Sequence, residues 1–319
     1  MSNNRIFIIG GSGFVGSSLR NLFERNNSSF CIGDKRISED SKNEVFVDVT
    51  KPKTLSKLEN YDVIINLAAE HRDDVFPISK YDQVNVGGAE NVCNSARKFG
   101  INKIIFTSSV AVYGHTKRKT SESGKINFFN DYGRTKYEAE KVYIDWWNED
   151  PKLRSLVIVR PTVIFGPNNR GNVFNLINSI SNNRFIMIGN GKNVKSMAFV
   201  ENVSSFIDYS LKLDKNFYLF NYIDEPSLDM NEIVYIIKRN LFNSKSIGMR
   251  IPKQIGMPIG VLADFFSKIT KKALPISKIR IEKFLASSHF YSDSIPDDFI
   301  APFSLEDGLN KTIDHEFPK

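Results

Sequence analysis

Tyr132 and Lys136 stand four residues apart in YGRTK. They head a run, YEAEKVYIDWW, whose periodicity predicts a helix over 131–148. Residues i and i+4 share one helix face. A free phenol has a pKa of about 10, too high for a base at neutral pH. A neighbouring ammonium favours the phenolate, and an oxidised nicotinamide would push the same way. The pair therefore suits a proton acceptor for a hydroxyl that is losing hydride. The spacing also fits a half-buried tyrosine beside a solvated lysine, so the pair alone decides nothing. TSSVAVYG (107–114) adds to it, because it ends an apolar run over 102–109 that reads as a strand. Hydroxyls there emerge at the carboxyl edge of a parallel sheet, where open α/β sheets bind ligands. Ser109 could orient the reacting oxygen against Tyr132, although serines also simply end strands.

A second constellation lies at the N-terminus. RIFIIG (5–10) reads as a strand and 13–26 as a helix, and Gly10, Gly13 and Gly16 fall between them. Glycines there permit a tight turn and close approach of a pyrophosphate to the helix N-terminus. Asp34 ends the second strand, FCIGD, where a carboxylate can hold a ribose 2′-hydroxyl. Asp48 ends the third, EVFVDV, within reach of an adenine edge. Asp34 favours NAD over NADP, because it would repel a 2′-phosphate. Lys35 and Arg36 follow it and leave NADP open.

These groups need a scaffold. Further apolar runs at 61–69 and 155–161, with a helix over 81–100 closed by Gly100, alternate strand and helix. Unbroken apolar strands alternating with helices predict an α/β fold, a doubly wound parallel sheet of Rossmann type covered on both faces. After residue 166 the rhythm loosens, with helices expected near 229–241 and 257–270. The expected organisation is an NAD-binding domain over 1–166 and a smaller C-terminal α/β substrate lobe over 167–319, with the chain free to cross between them.

The chain has 319 residues, 41% hydrophobic and 25% charged, an ordinary globular balance. The net charge of +7 admits an anionic partner without choosing one. No nucleic-acid motif accompanies the charge, so no nucleic-acid partner is expected. Cys31 and Cys93 have no metal-type spacing, so no metal is expected and a reducing compartment is. No run is long enough to span a membrane, and a cytoplasmic protein is expected.

GGSGFVG, NLAA (66–69), SSVAVYG, YGRTK and RPTVIFGP (160–167), in this order, resemble the motifs of the extended short-chain dehydrogenase/reductase superfamily. That superfamily holds the NAD-dependent nucleotide-sugar epimerases and dehydratases. The resemblance implies a catalytic triad of Ser109, Tyr132 and Lys136, with Lys136 also on the nicotinamide ribose. It implies that Phe14 and Val15 of the glycine loop and Val49 beside Asp48 line the cofactor site. Leu67, Ala68, Ala69 and Thr107 at the strand ends would do the same. Asn85 would steady the active site, and Pro161 and Val163 would border the nicotinamide.

The related 4,6-dehydratases carry an acidic pair just after the catalytic hydroxyl. Val110 and Ala111 stand there, so elimination of water lacks its acid and base. C4 epimerisation or a one-way 4-ketone reduction remains. Blocks along nearly the whole chain, among them LAAEHRDDV (67–75), NRGNVFNLI (169–177), KSMAFVENV (195–203) and SKIRIEKF (277–284), resemble a bacterial subfamily of 4-epimerases. That subfamily interconverts GlcNAc and GalNAc on undecaprenyl diphosphate for O-antigen assembly.

The resemblance implies a lipid-linked sugar as substrate, with a UDP- or dTDP-sugar and a non-catalytic NAD-binding sensor as alternatives. Lys195 matches the position of a basic residue on the substrate diphosphate. Arg170, Asn172 and Arg280 lie in the same substrate-lobe blocks, and the alternative reading of Arg170, Lys195 and Arg280 is solvated surface charge. His71 begins an HRDD patch on the loop after the fourth strand, placed where it could shape the sugar pocket. An apolar and lysine-rich stretch over 251–278 suits either an interfacial segment on the inner face of the cytoplasmic membrane or an ordinary amphipathic helix. A homodimer through 81–100 and 131–148 is expected from the superfamily.

Overall fold

A computed structural model describes residues 4–37, 43–72, 74–116, 118–258 and 278–318. Its centre is a parallel sheet. The strands are β1 (Ile6–Ile9), β2 (Phe30–Asp34), β3 (Glu44–Phe46), β4 (Val63–Asn66), β5 (Lys103–Thr107), β6 (Ser155–Pro161) and β11 (Phe217–Tyr222). Their spatial order is β11-β6-β5-β4-β1-β2-β3, and each neighbouring pair is parallel.

Period-two alternation explains why the sheet is covered on both sides. Phe7, Ile9, Ile64, Ile104, Phe106, Leu156 and Ile158 point into one core with Val92, Ala96, Ala139, Tyr143 and Trp146. Those five belong to α3 (Gly87–Phe99) and α4 (Asp131–Asn148). Ile6, Ile8, Ile65, Ile105, Val157 and Val159 point the other way. They meet Leu19 and Phe23 of α1 (Phe14–Arg25) and Val203, Phe206 and Ile207 of α6 (Val200–Ser210). The Rossmann-type α/β architecture expected from the sequence is therefore present.

The seventh strand, β11, and α6 lie beyond residue 166, so the chain returns to the sheet after leaving it. A second core gathers Val173, Ile177 and Ile180 of α5 (Asn172–Ser181) with Ile233, Val234 and Ile237 of α7 (Met230–Phe242) and Leu309 and Ile313 of α9 (Leu305–Glu316). Three short pairings accompany it: β7 (Val163–Phe165) with β10 (Met197–Phe199), β8 (Met187–Ile188) with β13 (Arg250–Ile251), and β9 (Val194–Lys195) with β12 (Leu228–Asp229). A further helix, α8, covers Lys278–Leu285. The helix expected over 257–270, and most of the apolar, lysine-rich stretch over 251–278, fall outside the described residues.

The two cores meet at the glycine loop, where Phe14 packs on the second core and Val15 touches both that core and the sheet. A buried ion pair fixes α4 against the sheet. Arg160 of β6 donates to both carboxylate oxygens of Glu140 at 2.8 and 2.5 Å. Its third contact is to the Tyr113 hydroxyl at 2.6 Å, which in turn donates to Asn221 of β11 at 2.8 Å. The two charged side chains are 5% and 1% exposed, so neither can turn to water if the other is lost. Replacing Glu140 with Leu should therefore lower unfolding free energy by about 3–5 kcal/mol. Removing Asp62 from its exposed pair with Arg5 should cost under about 1 kcal/mol. Urea denaturation of the two variants checks the contrast.

Candidate active site

The site is built at the carboxyl ends of β1, β4, β5 and β6. Ser109 follows β5 and caps a 3₁₀ turn over Val110–Tyr113, its hydroxyl accepting the Ala111 N–H at 3.1 Å. Tyr132 and Lys136 sit in the first two turns of α4, whose N-cap, Asn130, accepts the Gly133 N–H at 2.9 Å. Gly133 explains how the two elements approach. A Cβ there would lie 2.5 Å from the Ala111 carbonyl oxygen. With hydrogen in that place, the head of α4 rests on the turn that carries Ser109. The Ser109 hydroxyl is thereby brought close enough to the Tyr132 phenol to lower its pKa.

Three buried amides hold this arrangement. Asn85, 4% exposed, lies in a π-helical turn over Asp82–Val86 that interrupts the expected 81–100 helix. Such turns swing one side chain out of helical register. Asn85 accepts the Glu70 N–H at 2.8 Å and donates to the Glu70 carbonyl at 3.1 Å and to Thr135 of α4 at 2.9 Å. It thus ties the loop after β4 to the catalytic helix. Asn66 donates to Tyr143 of α4 at 2.6 Å and accepts the Ala68 N–H at 3.1 Å, while its carbonyl accepts the Thr107 hydroxyl at 3.0 Å. Asn221 ends the Arg160–Tyr113 chain described above and donates to the Tyr291 carbonyl at 3.1 Å.

Burial sets the electrostatics. Lys136 is 2% exposed, and burial pulls its amine down to about 7, with Glu140 opposing. Its Nζ lies 4.2 Å from the centre of the Phe106 ring. Burial also raises the Tyr132 phenol above 10, and the Ser109 hydrogen bond opposes that rise. Burial thus acts on both members of the pair, raising the phenol and drawing the amine down.

The glycine loop satisfies a dinucleotide's steric needs. Gly10 has φ +82°, and a Cβ there would meet the Ala68 nitrogen at 2.7 Å. Gly16 lets α1 start against Gly11, 2.5 Å from where its Cβ would be. Gly13 differs: a Cβ there would meet only the Gly10 oxygen, at 3.2 Å, so packing within the described chain leaves its open side for a ligand. Asp34 accepts N–H groups from Ser12 at 3.1 Å and Arg36 at 3.0 Å, which places its carboxylate beside the loop. At the same carboxyl edge the Ser108 hydroxyl is buried with no hydrogen-bond partner among the described residues. These features fit a bound dinucleotide.

Other expected residues are disposed as follows. Lys35 reaches Asp48 at 3.2 Å, and Asp48 also accepts both the N–H and the hydroxyl of Thr50, at 2.9 and 2.7 Å. These contacts hold the Asp48 carboxyl below its usual range even though burial, the largest influence, raises it. Lys35 is thus committed to Asp48, whereas Arg36 lines a cavity of about 960 Å³ with Ser12, Gly13 and Phe14. Val49 and Pro161 are buried, and Val163 is 41% exposed at the start of β7. Leu67 packs on one sheet core and Ala68 on the other, with Ala69 half-buried after them.

The substrate set is less gathered. Lys195 donates to the Ala286 carbonyl at 2.5 Å, and burial draws its amine down to about 8. Arg170 is ion-paired with Glu316 of α9 and lies 4.2 Å from the Phe174 ring centre, so its guanidinium is committed to the C-terminal helix. Asn172 and His71 are exposed. Arg280 lies in α8, and its side chain, like all of Asp73, is outside what the structure describes.

Residues 6–218 match the NAD dependent epimerase/dehydratase family. The chain belongs to that family. It is 42% identical to the N-acetyl-alpha-D-glucosaminyl-diphospho-ditrans,octacis-undecaprenol 4-epimerase of Escherichia coli O157:H7, across 99% of this chain and 96% of the relative. It is 26% identical to the UDP-glucose 4-epimerase of Vibrio cholerae, over 63% of this chain and 65% of that one. Two solved structures share the fold. The UDP-N-acetylglucosamine 4-epimerase from Bacillus cereus has a TM-score of 0.75 at 16% identity, covering 97% of this chain and 98% of that one. The UDP-glucuronic acid 4-epimerase from the same organism, in complex with NAD, has 0.70 at 18%, covering 98% of each.

Two outcomes follow. Gly133→Ala should force α4 away from Ala111 and destabilise the fold by about 1–3 kcal/mol, with a larger loss of turnover than an exposed Ala substitution of equal destabilisation. Lys136 has a folded pKa of about 7 against 10.5 for the free side chain. Its contribution to stability is complete above 10.5 and is lost as pH falls through 7. The cofactor-free wild type should therefore gain stability from pH 7 to 10.5 relative to Lys136→Met, as urea titrations at stepped pH would show.

Proposed function

We propose that this enzyme inverts C4 of an N-acetylhexosamine on a diphosphate carrier, converting GlcNAc-diphospho-undecaprenol to its GalNAc counterpart for O-antigen or surface-polysaccharide assembly. The observation that carries this reading is 42% identity extending over 99% of the chain, second lobe included. The more distant nucleotide-sugar epimerase from Vibrio cholerae matches only 63% of it.

In this reading, residues 1–166 form the greater part of the cofactor side and residues 167–319 that of the sugar side. NAD would be held by Gly10, Gly13 and Gly16 at its pyrophosphate, by Asp34 at the adenosine ribose, and by Lys136 at the nicotinamide ribose. When bound it supplies the hydride acceptor, and then the donor, at C4. Tyr132 takes the C4 hydroxyl proton and later returns it to the same oxygen after the sugar has presented its other face. Ser109, already against the Tyr132 phenol, holds that oxygen in line. Asn85 and Thr135 keep α4 from shifting while the ring turns. Lys195 faces the diphosphate. The loop after β4, with His71, borders the sugar. The protein works as a homodimer joined through α3 and α4, at the inner face of the cytoplasmic membrane. Among the described residues no helix is long and apolar enough to cross a membrane.

The test is to incubate the protein separately with GlcNAc-diphospho-undecaprenol and with UDP-GlcNAc, then identify the sugar released by mild acid. GalNAc from the lipid-linked substrate is expected, with Tyr132→Phe slower by about 10²–10⁴-fold. Conversion of the nucleotide sugar alone would refute the lipid-linked assignment, and undiminished turnover in Tyr132→Phe would refute the base.

A further inference from the structure

The segment joining Ser109's turn to Tyr132's helix carries a charge pattern that catalysis does not require. HTKRKTSESGKINFF (115–129) holds four cations, Lys117, Arg118, Lys119 and Lys125, against one carboxylate, Glu122. That carboxylate is turned inward. It accepts N–H groups from Asn221 at 2.7 Å and Asp293 at 3.0 Å, and the Ser292 hydroxyl. Thr120 secures the same stretch, donating to the His289 carbonyl at 3.0 Å and accepting from the Tyr291 N–H at 3.1 Å. With its one acid used for anchoring, the loop presents Arg118, Lys119 and Lys125 to solvent. Lys119 has a loose, exposed contact to Glu225 at 3.8 Å.

Large apolar side chains stand beside these cations. Phe128 and Phe129 are 40% and 49% exposed, and Phe129 stacks on the exposed His115 ring at 4.5 Å. Phe128 lies 3.1 Å from the position of a Cβ on Gly133, the residue that follows Tyr132. The loop after β4 adds Phe76, 90% exposed, and Ile78, 56% exposed. Arg134 of α4, just beyond the loop, pairs with Asp82, just beyond Ile78, at 2.8 Å, which brings the ends of the two segments near each other. Exposed aromatic and aliphatic side chains rimmed by lysine and arginine are what an anionic lipid surface attracts: the rings enter the acyl boundary and the cations meet the headgroups.

We infer that this rim, Arg118, Lys119, Lys125, Phe128 and Phe129 together with Phe76 and Ile78, docks the protein on an anionic bilayer leaflet. The mouth of the site is then held at the depth where the diphosphate of a lipid-linked sugar lies. This rests on the lipid-linked reading of the substrate, and it assigns membrane contact to a surface distinct from the 251–278 stretch.

The experiment is co-sedimentation of the NAD-loaded full chain with phosphatidylcholine vesicles, with and without phosphatidylglycerol. Binding only to the anionic vesicles, released by salt, is expected. Arg118→Glu/Lys125→Glu should lower partitioning about tenfold or more, and Phe76→Ser/Phe129→Ser should lower it at unchanged salt dependence. Thermal melts confirm that both variants fold. No binding by the wild type, or undiminished binding by both variants, overturns the inference. So does a variant that falls from dimer to monomer while its vesicle binding is intact, since the patch would then belong to a second copy. Turnover of detergent-dispersed GlcNAc-diphospho-undecaprenol by the wild type, measured alongside, separates failure of the docking surface from failure of the substrate assignment.

Discussion

The contact on which the site depends is between the first turn of α4 and the carbonyl of Ala111. It needs a residue without a side chain at 133, and it decides whether Ser109 and Tyr132 can meet. Everything else that touches α4 works to keep that contact. Asn85 reaches it through Thr135, Asn66 through Tyr143, and Arg160 through Glu140. These three partners come from the π-helical turn, β4 and β6, so the helix is fixed along two turns and from different sides. A site held this way resists displacement, and a misplacement of about 1 Å can cost on the order of 10²-fold in rate.

Burial that gives this precision has an electrostatic consequence. A phenol and an amine placed out of water both favour their neutral forms. Hence the Tyr132 phenol lies above its ordinary value, and the Lys136 amine is drawn down to about 7. The Ser109 hydrogen bond and the Phe106 ring face recover part of that loss, the first for a phenolate and the second for an ammonium. Among the described residues none places a fixed positive charge that lowers the phenol. In the proposed mechanism the oxidised cofactor of an NAD-dependent family would supply one, and Coulomb's law would couple its binding to ionisation of the phenol.

Much of this was legible in the sequence, and for physical reasons. Strand runs such as RIFIIG and SLVIVRP are buried on both faces and so read as unbroken apolar stretches. The α4 boundaries, Asp131–Asn148, follow from Asn130 as cap and a regular period. The seventh strand was missed because FYLFNY lies after an irregular stretch, and nothing local says that it returns to the sheet edge. The π-helical turn at Asp82–Val86 was read as plain helix, since one extra residue barely disturbs the periodicity. Gly133 did carry a signal. A glycine in a helix is unfavourable by about 1 kcal/mol against alanine, so its presence asked for a close approach. Pairings remote in sequence carried none: Arg170 finds Glu316 across 146 residues, and Lys35 finds Asp48 just past the end of the neighbouring strand. Both arginine and lysine looked available for phosphate when only their neighbours along the chain were considered.

The coupling of cofactor charge to the phenol is open to direct measurement. Tyrosine labelled with ¹³C at Cζ reports phenol ionisation by its chemical shift, and the Tyr132→Phe spectrum assigns the resonance. In the cofactor-free protein the account predicts that the Tyr132 signal titrates above 10. With NAD bound the midpoint should fall by at least about one unit, since a unit charge within a few ångströms shifts a pKa by one to three. A Tyr132 resonance that titrates at the same pH with and without NAD would contradict it.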